Sequence, residues 1–401
     1  MVSRRHVLAG LAGVGGVGLG YAANNDSAET FTPGGNPNAE WPLPRYDTSN
    51  SAYSPDAVAP RESVQVRWTA DMGWRGTDEP LVANGTVFFP TVTGLYALDS
   101  QTGEERWRYE PPENPWIENP MYFDGIVYLT NSVENQLYAF DATSGDTIWS
   151  RDDFGEISSV LHLVAGEDVR TPALYLGGRD GAVFRLDPKT GDTTWQTDLF
   201  GPVTALSYYF RMLYVGTNSG EVYTYDAAGD VPREMNRQTA GSKILSITPS
   251  SDGVFVTTVG DSAKLFHHRE LGSNQRKMVD ADWASTPPVL VNSRFYTTGI
   301  DGLSTWRSYE DDHSWRIKSR FDSTGPIAAG DRVYAASTNA VHAFKLTGGI
   351  GIRSVRLNAE RWKFSLDKGY FSGLAVADSA LFAARNGTDE NETTLYCLEE
   401  A

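Results

Sequence analysis

Cysteine is nearly absent. The single thiol, Cys397, excludes an intramolecular disulfide. It sits in an alternating apolar stretch, Leu395–Leu398, which suits a small buried hydrophobe. Lysine is scarce too. Only eight of the 34 basic residues are lysine, against 51 Asp and Glu, for a net charge of −17. So acidic a chain repels phosphate, which argues against a nucleic-acid partner. Few lysines among many carboxylates suit a protein from a salt-loving microbe, where an acidic surface preserves solubility as salt screens other charges. An ordinary acidic exported protein has a similar balance. No long apolar run occurs beyond the N-terminus, so no transmembrane helix is expected there. Gly-x-Ser-x-Gly, phosphate-binding and Cys-x-x-Cys motifs are all missing. His267 and His268 adjoin on an expected strand, so they point to opposite faces and cannot share one metal.

What the chain does contain is a repeat. Leu95–Trp107 reads LYALDSQTGEERW, Leu137–Trp149 reads LYAFDATSGDTIW, and Val183–Trp195 reads VFRLDPKTGDTTW. Each is a strand, a polar turn Asp-x-x-Thr/Ser-Gly, and a strand reaching Trp. Weaker copies of the first strand begin at Val222, Leu265, Ser304, Val341 and Leu395, with steps of 37 to 54 residues throughout. Periods of about 40 to 50 residues with four strands per unit are those of propeller blades. A second turn precedes each copy, as at Asn84-Gly85, Asp124-Gly125, Phe210-Arg211 and Asp378-Ser379. Asn-Gly and Asp-Gly suit two-residue hairpins, whose central residues need positive φ.

The spacing therefore predicts an all-β, eight-bladed propeller with four-stranded antiparallel blades. The last copy, Leu395–Glu399, has no Trp strand after it, whereas Val64–Trp68 has that character and no blade before it. The N-terminal strand is expected to close blade eight, leaving no long sheet edge unpaired. Blades four to six degenerate. Asp226-Ala227-Ala228-Gly229 is one residue short, with no Trp following, and blade five has lost the motif. Residues 350–358 and 385–394 read as surface excursions. Asn386-Gly387-Thr388 and Asn391-Glu392-Thr393, in the second, fit the glycosylation pattern at accessible positions.

Residues 1–23 carry Arg4-Arg5 ahead of a Gly/Ala-rich, mildly apolar stretch and read as a twin-arginine export signal, cleaved or kept as an anchor. Residues 24–40 read as a flexible linker. Then come Trp41-Pro42, Arg45-Tyr46-Asp47, Ser51-Ala52-Tyr53-Ser54-Pro55 and the strand ending at Trp68. With the Asp-x-x-Thr-Gly-x-x-x-Trp turns, this resembles the PQQ-like (quinoprotein-type) β-propeller repeat family over residues 41–401. The resemblance implies that Trp68, Trp107, Trp149, Trp195, Trp315 and Trp362 are structural docking residues, each lodged against the adjacent blade.

The same resemblance raises quinone chemistry. In the family's alcohol and glucose dehydrogenases, pyrroloquinoline quinone (PQQ) lies on the propeller axis with calcium. The alcohol enzymes add adjacent cysteines, which Cys397 alone cannot supply. No dense run of calcium ligands is visible; Asp311-Asp312-His313 and Asp152-Asp153 read as solvated loops. Neither catalytic residues nor metal ligands are assigned, and no cofactor is expected, with PQQ and calcium as the alternative. The chain is also similar to the family's cofactor-free branch, the propeller lipoproteins of outer-membrane barrel assembly. The expectation is a monomeric, non-catalytic scaffold that binds a protein partner at the cell surface. Its candidate partner-binding rim is the set of aromatics that recur where the chain returns to the axis: Trp74, Trp116, Phe154, Phe200, Trp283, Phe321, Tyr370 and Phe371. A sugar-binding sensor module is a further reading.

Overall fold

The computed structural model describes residues 30–111, 116–165, 169–260, 263–267, 275–277, 286–307, 314–321, 323–352, 355–388 and 392–401. Their strands form eight antiparallel blades around an axis. In chain order the blades span 81–109, 117–151, 157–198, 203–239, 244–277, 289–317, 327–365 and 370–399. Each is a meander, with its first strand innermost and its last outermost. Middle strands lie between neighbouring blades, so they are buried on both faces and read as apolar runs, as in Ile126–Asn131. Outermost strands alternate exposed and half-buried residues, as in Glu105–Tyr109, and their charges discourage edge pairing.

Closure occurs as expected, with a longer strand. Gln65–Asp71 pairs antiparallel with Thr393–Glu399 and becomes the outer strand of blade 8, setting Trp68 opposite Cys397. The Glu400 carboxylate accepts from the backbone N–H groups of Glu62 and Ser63, tying the two chain ends together.

Blade-to-blade contact follows from turn chemistry. Asp99 Oδ1 accepts from the N–H groups of Gln101 and Thr102, and the turn brings Gly103 to φ 75°. The Trp68 indole lies on that glycine, and its Nε1 donates to the Ser100 carbonyl at 3.0 Å. Trp107 sits likewise on Gly145, donating to Ala142, and Trp149 on Gly191, donating to Pro188. Trp315 lies on Gly348. Trp195 meets the Tyr225 ring edge-on, since the short turn of blade 4 sets no glycine against it. Trp362 donates to the Pro60 carbonyl.

The stretch read from the sequence as a linker is described from residue 30 onward. Residues 30–40 lie against the propeller: Phe31 packs on the core, Ala39 is buried, and Asn36 bridges to Ala57. From there the chain circles the axis. Ala39 accepts from Asp378 of blade 8, Trp41 pairs with Val82 of blade 1, and Pro42 accepts from Tyr122 of blade 2. Thr48 accepts from His162 of blade 3 and Tyr208 of blade 4, and Asn50 donates to Leu206 of blade 4 and Ile247 of blade 5. Ser51 accepts from Leu290 of blade 6, and Ala52 from Ala328 of blade 7. Tyr53–Ser54 then adds a parallel strand to blade 7. One circuit of irregular chain thus bonds to the inner strands of blades 1 to 7 and to the first turn of blade 8, satisfying part of its own backbone there. The insertion after blade 7's third strand is a small hairpin, Ile350–Ile352 with Val355–Leu357.

Candidate functional site on the loop face

In a four-stranded meander, the links between blades and the turns joining second to third strands share one face. The remaining turns lie on the other face, where the lead-in circuit also sits. Among the described residues, the loop face carries seven exposed large apolar side chains: Trp74, Trp116, Val133, Phe200, Val259, Ile300 and Tyr370. The turn face carries four, Phe210, Val231, Ile350 and Leu357, of which only Phe210 is aromatic. Trp74 is 42% exposed and Phe200 69%, unusual for rings of that size.

The aromatic rim expected from the sequence divides. Trp74, Trp116, Phe200 and Tyr370 present their rings to solvent. Phe154, Phe321 and Phe371 are buried and fill space between blades. Phe154 meets Phe184 edge-on under the Arg151 guanidinium, and Phe321 stands edge-on to His342 and Phe344. Strand alternation separates Tyr370 from Phe371: adjacent residues face opposite ways. Trp283 lies outside the described residues, as do His268, residues 311–313 and Asn391. Asn386 is not an accessible glycan acceptor. Its side chain is buried, accepts from Thr393 and the Gly76 N–H, and anchors the first loop of the face.

Val133, Val259 and Ile300 are not among the sequence candidates. Each lies in a second-to-third-strand turn, and an apolar residue in such a turn was the available signal.

Inside the channel, Arg45 reaches from the lead-in toward the loop face. Its Nη2 donates to the carbonyls of Pro287, Pro288 and Pro326, at 3.3, 2.8 and 3.0 Å. Its Nη1 lies 3.5 Å from Glu79 Oε1. Burial raises the Glu79 carboxyl to about 8; Arg45 pulls it down and Asp78 pushes it further up. Asp78 is raised to about 6 by burial, against hydrogen bonds from the N–H groups of Glu79 and Asn119. These groups lock the lead-in to blades 1, 6 and 7. Among the described residues, no group of three or more His, Cys, Asp or Glu could hold a metal ion.

The family model described as outer membrane protein assembly factor BamB matches residues 57–269 and 172–355. The chain belongs to this PQQ-like propeller family. A stretch of 149 residues is 30% identical to the dehydrogenase subunit of a quinone alcohol dehydrogenase from Gluconobacter oxydans, covering 32% of this chain and 19% of that relative. The chain thus spans about a fifth of that protein. Quinohemoprotein alcohol dehydrogenase from Comamonas testosteroni superposes with TM-score 0.67 at 11% identity, over 94% of this chain and 83% of that one. BamB from Moraxella catarrhalis gives 0.61 at 13% identity, over 83% and 99%. At such identities the structural likeness concerns the fold alone.

Proposed function

We propose that this chain is an exported, non-catalytic propeller that binds a protein partner through its loop face. The carrying observation is the uneven distribution of exposed aromatic rings among the described residues: four on the loop face, Trp74, Trp116, Phe200 and Tyr370, against Phe210 alone on the turn face, within seven and four exposed large apolar residues respectively. Trp and Tyr at such a surface are the usual anchors of protein contacts. Membership of a family described by an outer-membrane assembly factor supports a partner-binding role. The Arg4-Arg5 segment supports export, and the acidic composition supports work at high salt. The test is cross-linked capture of tagged protein at native salt, with Trp74, Trp116 and Phe200 each changed to Ala. One dominant partner, lost in those variants and kept when outer-strand Ile148 is changed, supports the reading. An intact bait that captures nothing removes it.

A second reading is a quinone-dependent dehydrogenase, favoured by the Gluconobacter relative. The quinone is a tricarboxylate, so its site needs several free cationic or N–H donors, and its calcium needs six or more oxygen ligands. The described channel residues fit this poorly. Arg45 is engaged by three carbonyls and Glu79, and the nearest acids, Asp78 and Glu79, are buried, which raises their carboxyls to about 6 and about 8. No reaction step is therefore assigned. Titration of the protein with PQQ and calcium, read by tryptophan quenching and dye reduction with alcohols and sugars, separates the readings. Saturable binding with turnover would replace the scaffold.

A further inference from the structure

The repeat supplies its own comparison. In each Trp-bearing blade a row of residues crosses three strands, from an aromatic on the second through a middle residue to Trp on the fourth. The middle residue is Ala97 in blade 1, Ala139 in blade 2, Thr305 in blade 6, Ala343 in blade 7 and Cys397 in blade 8. In blade 3 it is Arg185, between Tyr175 and Trp195. A large cation stands where the other blades place a small side chain.

Two further departures face it from blade 4. The turn Asp226-Ala227-Ala228-Gly229 is shortened, and a Cβ on Gly229 would meet open space. The first hairpin turn is Phe210-Arg211, at φ 44° and 71°, where blades 1 and 2 have Asn84-Gly85 and Asp124-Gly125. Left-handed backbone disfavours side chains of this size, so Arg211 holds that position against local preference.

These departures surround a pocket of about 300 Å³ on the turn face between blades 3 and 4. Arg185 is only 5% exposed there. Its Nη1 donates to Thr194 Oγ1 at 2.8 Å, and its Nη2 lies 3.9 Å from Asp230 Oδ1, beyond hydrogen-bond length. The Asp230 side chain is 79% exposed, so it compensates a buried guanidinium weakly. Arg170 and Arg211 line the same pocket and make no ion pair among the described residues. In a chain of net charge −17, the described lining sets three arginines against one carboxylate and so inverts the sign among those residues. The other wall, with Val164, Ala173 and Tyr208, is largely apolar.

We propose that this pocket binds a small anionic molecule, its carboxylate or phosphate group held by Arg185 and the flanking arginines, and its short apolar body resting on Val164, Ala173 and Tyr208. A guanidinium fork matches either oxyanion. The site is separate from the loop face and does not depend on the scaffold reading.

The experiment is titration calorimetry with melting curves at fixed ionic strength, using benzoate, acetate and inorganic phosphate as probes. Saturable binding with a raised melting temperature, weakened about tenfold or more in Arg185→Ala, is the expected result. Benzoate tighter than both acetate and phosphate assigns an organic acid; phosphate tightest assigns a phosphate group. Arg185→Ala installs the residue of blades 1, 2 and 7, so it suits the fold. Arg211→Gly, which suits its backbone, is the second variant if the first fails to fold. No saturation with any probe, or unchanged affinity in a folded variant of Arg185 or Arg211, would overturn the proposal. It would mean that the chain's own carboxylates neutralise these arginines.

Discussion

Trp362 and Pro60 stand in for a turn that blade 8 does not have. The indole Nε1 donates to the Pro60 carbonyl at 3.0 Å, and the Tyr334 hydroxyl donates to the same oxygen at 2.9 Å. Between blades 2 and 3, Trp149 and Tyr128 share the Pro188 carbonyl in the same way, at 3.1 and 3.0 Å. Pro188 belongs to the turn before its blade's outer strand, whereas Pro60 comes from the lead-in. The chain break in blade 8 is thus repaired by a segment from the other terminus. Trp362→Ala is expected to cost about 3–5 kcal/mol, and Trp362→Phe, which loses chiefly the hydrogen bond, about 1 kcal/mol. Denaturant midpoints at native salt measure both; a wild-type midpoint for Trp362→Ala would leave Pro60 without this role.

The docking glycines give a cleaner contrast. A Cβ on Gly103 or Gly145 would lie 2.7 Å from an indole carbon, at φ 75° and 76°. Alanine at either site should lower stability by more than about 1 kcal/mol. Gly229→Ala, facing open space, should change it by less than about 0.5 kcal/mol. Equal losses at all three sites would contradict the docking geometry.

Rim and filler aromatics should separate on melting. Phe154→Ala, Phe321→Ala and Phe371→Ala each empty a buried site and should cost about 3–5 kcal/mol. Trp74→Ala, Trp116→Ala and Phe200→Ala should stay within about 1 kcal/mol of wild type while weakening partner capture. Substantial destabilisation by the exposed set would reassign it to packing.

Acid should act through the lead-in. Burial lowers the His162 imidazole from the usual 6.5 to about 4, against its bond to the Thr48 carbonyl. The native state binds fewer protons than the unfolded chain across that window. Stability from neutral His162 is present above pH 6.5 and declines toward pH 4, by up to about 3 kcal/mol. Glu79 has the opposite sign. Its carboxyl is raised from 4.5 to about 8, so its share is present below pH 4.5 and lost as pH rises through 8. Urea midpoints from pH 5 to 8 should show a flatter acid side in His162→Gln and a flatter alkaline side in Glu79→Gln. Unchanged slopes in both variants would contradict the buried state of these groups.

The fold was legible because its chemistry is local and periodic. Asp99, Gly103 and Trp107 lie within one short repeat, so their spacing survives drift elsewhere. Closure was legible because Trp68 belonged to a strand without a blade. The rim was half legible: spacing locates a loop, but side-chain direction depends on strand phase, as Tyr370 and Phe371 show. The lead-in resembled the family in its residues but gave no sign of its path around the axis. Residues 39–54 have no periodicity, and the groups they bond lie on all eight blades, as far along the chain as Asp378. Arg185 was readable as VFRLD beside LYALD, yet its meaning required the shortened turn across the blade interface.

The circuit has a consequence for how the number of blades is fixed. Its contacts are paced at one inner strand after another, and the same stretch leads into the strand that completes blade 8. A ring with one blade fewer or more would set its carbonyls and amides against the wrong partners and leave them buried without bonds. The N-terminal segment therefore acts as a gauge of circumference. An open solenoid can gain or lose a repeat at modest cost, but this ring, measured from within, admits only the count that its own lead-in spans.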